Sequence, residues 1–190
     1  DMSAPAASLP SMTSDEFLVW AEAQSDERFE LHEGVVVAMS RERRLHALVK
    51  GSALVTLLGT KPPCAPYVDG IAIKVSETTT YIPDVLVDCG DQNDMREMTA
   101  VEPVIVIEVL SDSTSKTDTG AKLEGYFTVP SVQHYLIVDG ADRRVTYHRR
   151  ETGGLFTQIL HTGTLALDPP GVTVSIDDFW RGLPDEEAQP

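Results

Sequence analysis

Tyr81-Ile-Pro-Asp-Val-Leu-Val-Asp-Cys89, Pro103-Val-Ile-Val-Ile-Glu-Val-Leu-Ser-Asp-Ser-Thr114 and Ser115-Lys-Thr-Asp-Thr-Gly-Ala-Lys-Leu-Glu-Gly-Tyr-Phe127 are the three blocks that decide the fold. Val104, Ile105, Val106, Ile107, Val109 and Leu110 make an almost unbroken apolar run rich in β-branched residues, the pattern of a strand buried on both faces. Glu108 stands inside it. A lone ionised carboxylate in that setting costs several kcal/mol unless a partner or a metal ion compensates it. The upstream candidate is Asp84, which precedes the short apolar strand Val85-Leu86-Val87. Two carboxylates on adjacent strands repel, and a hard divalent cation of the Mg²⁺ kind, held by oxygen ligands, resolves that repulsion. Lys122 lies 14 positions after Glu108, in a segment read as a helix opening near Thr117, from which a lysine can return to the site and hold an anion or a water. Tyr126, four residues on, shares its face. Lys116, placed in the loop before that helix, is the competing lysine.

At these residues the chain resembles the PD-(D/E)XK nuclease superfamily and, within it, the Uma-two family of restriction-endonuclease-like proteins. The resemblance runs from about Thr13 to Trp180. It is carried by the order and spacing of F-E-L-H-E-G-V-V-V-A-M-S, a histidine in the following helix, I-P-D-V, V-I-E-V-L-S-D-S-T, G-A-K-L-E-G-Y and V-Q-H-Y-L-I-V-D. It implies an α/β (α+β) fold with a mixed central sheet flanked by helices and additional antiparallel strands. It also implies metal-dependent hydrolysis of phosphodiester bonds in nucleic acid, DNA first, with Mg²⁺ (or Mn²⁺ in its place) as cofactor and a homodimer as the assembly. Asp84 matches the aspartate of the first half-motif and Glu108 the acid of the second. The metal ligands expected are therefore Asp84, Glu108 and the backbone carbonyl of Val109. In the simplest superfamily pattern a lysine stands two places after the glutamate, but here that position is Leu110. The family pattern places the lysine in the next helix, which matches Lys122. Glu30, His46 and Tyr126 are the auxiliary candidates: Glu30 either lies near the active centre or is an ordinary outward-facing carboxylate, and His46 either touches phosphate or packs.

The chain has 190 residues, 42% of them hydrophobic, which suits one domain with a sizeable core. The expected limits are a flexible arm at 1–12, one nuclease-like domain at 13–183 and an acidic tail at 184–190. No run approaches a membrane span and no secretory leader is visible, so the sequence reads as cytoplasmic. Cys64 and Cys89 lack metal-ligand spacing and read as thiols of a reducing compartment. Thirty acids against 15 bases give a net charge of −15, which argues against a generally basic nucleic-acid binder. Basic residues nevertheless cluster at Arg41, Arg43, Arg44, His46 and Lys50, and again at Arg143, Arg144, His148, Arg149 and Arg150; each cluster is a candidate phosphate-binding face or a solvated one.

Thr13-Ser14-Asp15-Glu16 is a capping box opening a helix to about Ala23. Phe29 to Leu31 and Val35 to Met39 read as strands joined at Gly34, and Arg43 to Leu58 as an amphipathic helix. Strands are expected over Pro66–Val75 and Thr78–Ile82, with Asp69 structural rather than a metal ligand, and a short helix over Asp94–Met98. Later strands are expected near His134–Val138, Arg144–Arg149, Leu155–His161 and from Val172, with a short helix ending near Trp180. Two other readings compete with hydrolysis. One is a nuclease-like fold that no longer cuts and serves as a binding or regulatory module, suggested by the acidic balance and by Leu110. The other is a buried Asp84–Glu108–Lys122 ion network of structural use alone.

Overall fold

The protein is described from a computed structural model that covers residues 11–24, 27–39, 41–111 and 116–184, the side chains of 116–118 excepted. Except for Ser11, Met12 and Pro184, the expected arm and tail lie outside these residues, as do residues 112–115.

The centre is a six-stranded mixed sheet in the order β10-β9-β8-β7-β6-β3. Its strands are β3 (Ala65–Val68), β6 (Val85–Asp88), β7 (Pro103–Val109), β8 (His134–Asp139), β9 (Arg144–Glu151) and β10 (Gly154–Leu160). Only β7 and β8 run parallel, joined by the crossover helix α3 (Lys116–Thr128); the other pairs are antiparallel. Side chains alternate across a strand, so β7 serves two cores. Ile105, Ile107 and Val109 face α2 (Arg44–Gly59) and pack with Val49, Ala53 and Leu57. Val106 points the other way, into a second cluster with Tyr126, Tyr135 and Tyr81. Glu108 has the parity of Val106. The alternation therefore aims this carboxylate at α3.

A second sheet, in the order β2-β1-β5-β4, comprises β1 (Phe29–His32), β2 (Val35–Ala38), β4 (Ile73–Ser76) and β5 (Thr79–Tyr81). The β1–β2 hairpin turns through Glu33 (φ 48°) and Gly34 (φ 83°), the double positive φ that matches strand twist in a two-residue loop. Helix α1 (Ser14–Glu22) begins with the expected capping box, Thr13 and Glu16 exchanging bonds. Gly125 lets α3 approach β5, because a Cβ there would lie 2.8 Å from the Tyr81 ring. A hairpin of β11 (Thr164–Leu167) and β12 (Val172–Ser175), followed by a 3-10 turn at Ile176–Trp180, closes the α2 side of the core.

Several expectations need correction. The run Pro66–Val75 is not one strand: Asp69 (φ 51°) and Gly70 (φ 79°) turn the chain, so β3 joins one sheet and β4 the other. The segment Asp94–Met98 is a single turn rather than a helix, closed by Glu97 N donating to Asp94 O at 3.2 Å and by Arg96 N donating to Asp94 Oδ1. Lys116 is the first residue of α3 and not part of a preceding loop. Cys64 and Cys89 are not free thiols but a disulfide, their Cα atoms 4.5 Å apart. The register that pairs Ala65 with Asp88 sets the two cysteines side by side, and no cysteine spacing announces such a register. The stripe on α2 is also only half buried, with Leu45, Leu48 and Leu58 exposed.

His134 supplies a stability test away from the site. It is 1% exposed and bonded through Nδ1 to the Tyr147 hydroxyl and through Nε2 to the Pro169 carbonyl oxygen. Burial pushes its pKa down from 6.5 to about 4. Between those values the unfolded chain takes up a proton that the folded one refuses, so acid favours unfolding. Unfolding free energy should fall by on the order of 3 kcal/mol as pH drops through this window, an effect absent from His134→Gln. The same pH dependence in that variant would refute the assignment.

Candidate active site

The antiparallel register that pairs Val85 with Ile107 brings Asp84, just outside β6, beside Glu108 and Val109. Asp84 is fixed there: its Oδ2 accepts from Val109 N at 2.8 Å and lies 3.2 Å from His46 Nε2 on α2. From the opposite side, α3 presents Lys122 and Tyr126 on one face. Lys122 Nζ donates to Glu108 Oε1 at 2.9 Å and to Glu30 Oε1 at 3.0 Å, and the Tyr126 hydroxyl donates to Glu108 Oε1 at 2.6 Å. Glu30, from the middle of β1, is buried; its Oε1 also accepts from Ile82 N, and its Oε2 lies 2.9 Å from His32 Nε2. Asp84, Glu108, Val109, His46 and Lys122 line one cleft, with Arg28 and Arg41 among its walls. The seven expected site residues therefore converge, with Glu30 and Tyr126 bonded to those that line the cleft.

The electrostatics follow from burial and these contacts. Burial pushes the Glu108 carboxyl up to about 7; Asp84 and Glu30 push the same way, and Lys122 opposes them. Burial alone would make Lys122 easier to deprotonate, but the Glu108 and Glu30 charges outweigh it and hold the ammonium protonated. Glu30 is held below the usual carboxylate range: burial opposes this, and His32, Lys122 and the Ile82 N–H outweigh burial. His46 is raised, because its contact with Asp84 and the charges of Asp84 and Glu42 exceed the effect of burial.

A further charged group, which the sequence did not single out as a unit, adjoins the cleft. Lys50, buried one turn after His46 on α2, bonds Glu42 and, at 2.8 Å, Asp69. Arg28 reaches the same two acids, at 3.1 Å and 2.7 Å. Lys50 thus belongs to an internal network rather than to a phosphate-binding face, and Asp69 is structural, as expected. In the second basic cluster Arg150 bonds the carbonyls of Val132, Phe127 and Val129 at the end of α3, and His148 is buried. The signal for the Lys50 network was the Asp69-Gly70 turn, which folds Asp69 back toward α2.

A divalent cation fits this chemistry. The ion pairs set five carboxylates, Glu30, Glu42, Asp69, Asp84 and Glu108, against the three cations Arg28, Lys50 and Lys122, an excess of acids that a divalent ion would offset. Among the described residues no hydrogen bond engages Asp84 Oδ1 or Glu108 Oε2, which leaves each carboxylate one oxygen for an ion. Burial first, and then the charges of Asp84 and Glu30, raise the Glu108 pKa against Lys122, and a cation beside the carboxylate would counter both.

Comparison with known proteins bears on the fold and the family. A crystal structure titled as a putative nuclease belonging to DUF820, from Anabaena variabilis, superposes with a TM-score of 0.69 at 16% identity, covering 89% of this chain and 97% of that one, and so shares the fold. The uncharacterized protein slr1290 of Synechocystis sp. is 29% identical over 184 residues, 94% of this chain and 96% of its own length. A second Synechocystis protein, sll1609, is 30% identical over 87 residues, 44% of this chain and 49% of its own. No helix among the described residues is long and apolar enough to cross a membrane. The model of the Uma2 family, described as "Putative restriction endonuclease", matches residues 14–184, and the chain belongs to that family.

Proposed function

We propose that the protein is a metal-dependent endonuclease that hydrolyses phosphodiester bonds, with DNA as substrate. The observation that carries this reading is the pairing of Asp84, clamped to Val109 N at 2.8 Å, with Glu108 in one cleft that also holds a buried lysine. Asp84, Glu108 and the Val109 carbonyl would hold Mg²⁺, or Mn²⁺ in its place. Such an ion supplies Lewis-acid polarisation of the phosphate and lowers the pKa of water at the site. Lys122 stays protonated and offers a preorganised positive charge where negative charge develops on the phosphate. Glu30 and Tyr126 position Lys122 and Glu108, and His46 steadies Asp84. Arg41, in the cleft wall, would offer the substrate a positive charge on a chain that is acidic overall, whereas Arg28 is paired with Glu42 and Asp69. The reading takes 13–183 as the nuclease domain, a homodimer as the assembly and the cytoplasm as the compartment, where Cys64–Cys89 would face a reducing environment.

One observation favours the second reading, a nuclease-like module without activity: Lys122 is already engaged by two carboxylates. A panel of double-stranded DNA, single-stranded DNA and RNA, incubated with Mg²⁺ and with chelator, separates the two. Metal-dependent cleavage of at least one substrate is expected. Metal binding without cleavage of any would favour the inactive module.

A further inference from the structure

The α2 side of the cleft contains a donor set of which the hydrolysis scheme uses Asp84 as a ligand and His46 only as its support. Glu42, His46 and Asp84 each present one ligand atom, and these atoms lie within 4.8 Å of one another. His46 Nε2 is 3.2 Å from Asp84 Oδ2 and its Nδ1 3.9 Å from Glu42 Oε2, while the side chain is only 11% exposed. Nδ1 is buried and has no hydrogen-bond partner. Glu42 is held by its far oxygen: Oε1 receives Lys50 and Arg28, both of which also bind Asp69, so Oε2 is left toward the imidazole. Outer partners that fix one oxygen of a carboxylate and leave the other open are the usual support of a metal ligand.

We propose that Glu42, His46 and Asp84 form a second cation position, sharing Asp84 with the Glu108 side and selective for transition-metal ions over Mg²⁺. Oxygen ligands suit Mg²⁺, whereas an imidazole suits Co²⁺, Zn²⁺ and their neighbours. The excess negative charge of the network is of the order that one divalent ion neutralises. Without substrate the two positions therefore compete, and the ion's chemistry decides between them. A bound phosphodiester brings the negative charge that admits both. The inference deepens the hydrolysis reading and rests on it only through Asp84 being open to a cation.

The test is calorimetric titration of Mg²⁺ and of Co²⁺ into the full chain without nucleic acid, in the wild type, His46→Gln and Glu108→Gln. In His46→Gln the Co²⁺ affinity should fall by more than about a hundredfold, beyond what loss of an outer-shell partner produces, with Mg²⁺ affinity little changed. Glu108→Gln should do the reverse. Pulsed electron paramagnetic resonance of the wild type loaded with Cu²⁺, an ion that imidazole suits, should show an imidazole ¹⁴N coupling, a readout that survives if the histidine variant fails to fold. Unchanged Co²⁺ affinity in His46→Gln, or no ¹⁴N coupling in the wild type, overturns the second position. Mg²⁺ affinity untouched by Glu108→Gln, with Co²⁺ lost in His46→Gln, supports this position and instead removes Glu108 from the metal ligands.

Discussion

Glu108→Gln is expected to leave a folded protein whose metal-dependent cleavage is slower by roughly a thousandfold or more, the scale on which removal of one preorganised electrostatic group acts. Glutamine keeps the volume and an acceptor for the Tyr126 hydroxyl, and Lys122 retains Glu30 as a partner. The charge removed is one that burial, Asp84 and Glu30 already disfavour, pushing its pKa up to about 7, so stability near neutral pH should change by less than about 1 kcal/mol. Single-turnover cleavage and urea unfolding of the same preparation check both halves. Cleavage at the wild-type rate would remove Glu108 from the mechanism.

Lys122→Met should have the largest effect on stability. The ammonium bridges two carboxylates, Glu30 and Glu108, which are themselves sheltered from water. Its loss leaves both without their cation, and breaking a buried pair in this way costs about 3–5 kcal/mol. Adding Glu30→Gln to that variant removes one orphaned charge and should recover part of the loss. A deficit below about 1 kcal/mol, as an exposed pair would give, would show that water reaches the lysine freely.

What the sequence made legible was local. The run Val104–Leu110 could be read as a doubly buried strand because β-branched residues filled both parities, and Glu108 could be read as functional because it alone broke the run. Lys122 came from its place in the helix after Glu108 and from the family pattern, Tyr126 from helical spacing to it, and Glu30 from the family resemblance, its parity opposite to Phe29 and Leu31 fixing its face. What stayed hidden depended on contacts between distant segments. Glu42 was unremarkable among other charged residues until Lys50 and Arg28 bound it, the latter from 14 residues upstream. The split of Pro66–Val75 turned on Asp69 taking a positive φ, which few non-glycine residues adopt. The β11 strand went unread because Ala166 puts an apolar residue on its exposed face, so Leu165-Ala166-Leu167 shows no apolar–polar alternation.

The central claim is that Asp84 and Glu108 hold a divalent ion, and titration of Mg²⁺ and Mn²⁺ into the wild type and into Asp84→Asn tests it most directly, without needing the substrate. Heat of binding in the wild type that is absent from the variant is the predicted result. Binding of equal affinity in Asp84→Asn would contradict the account.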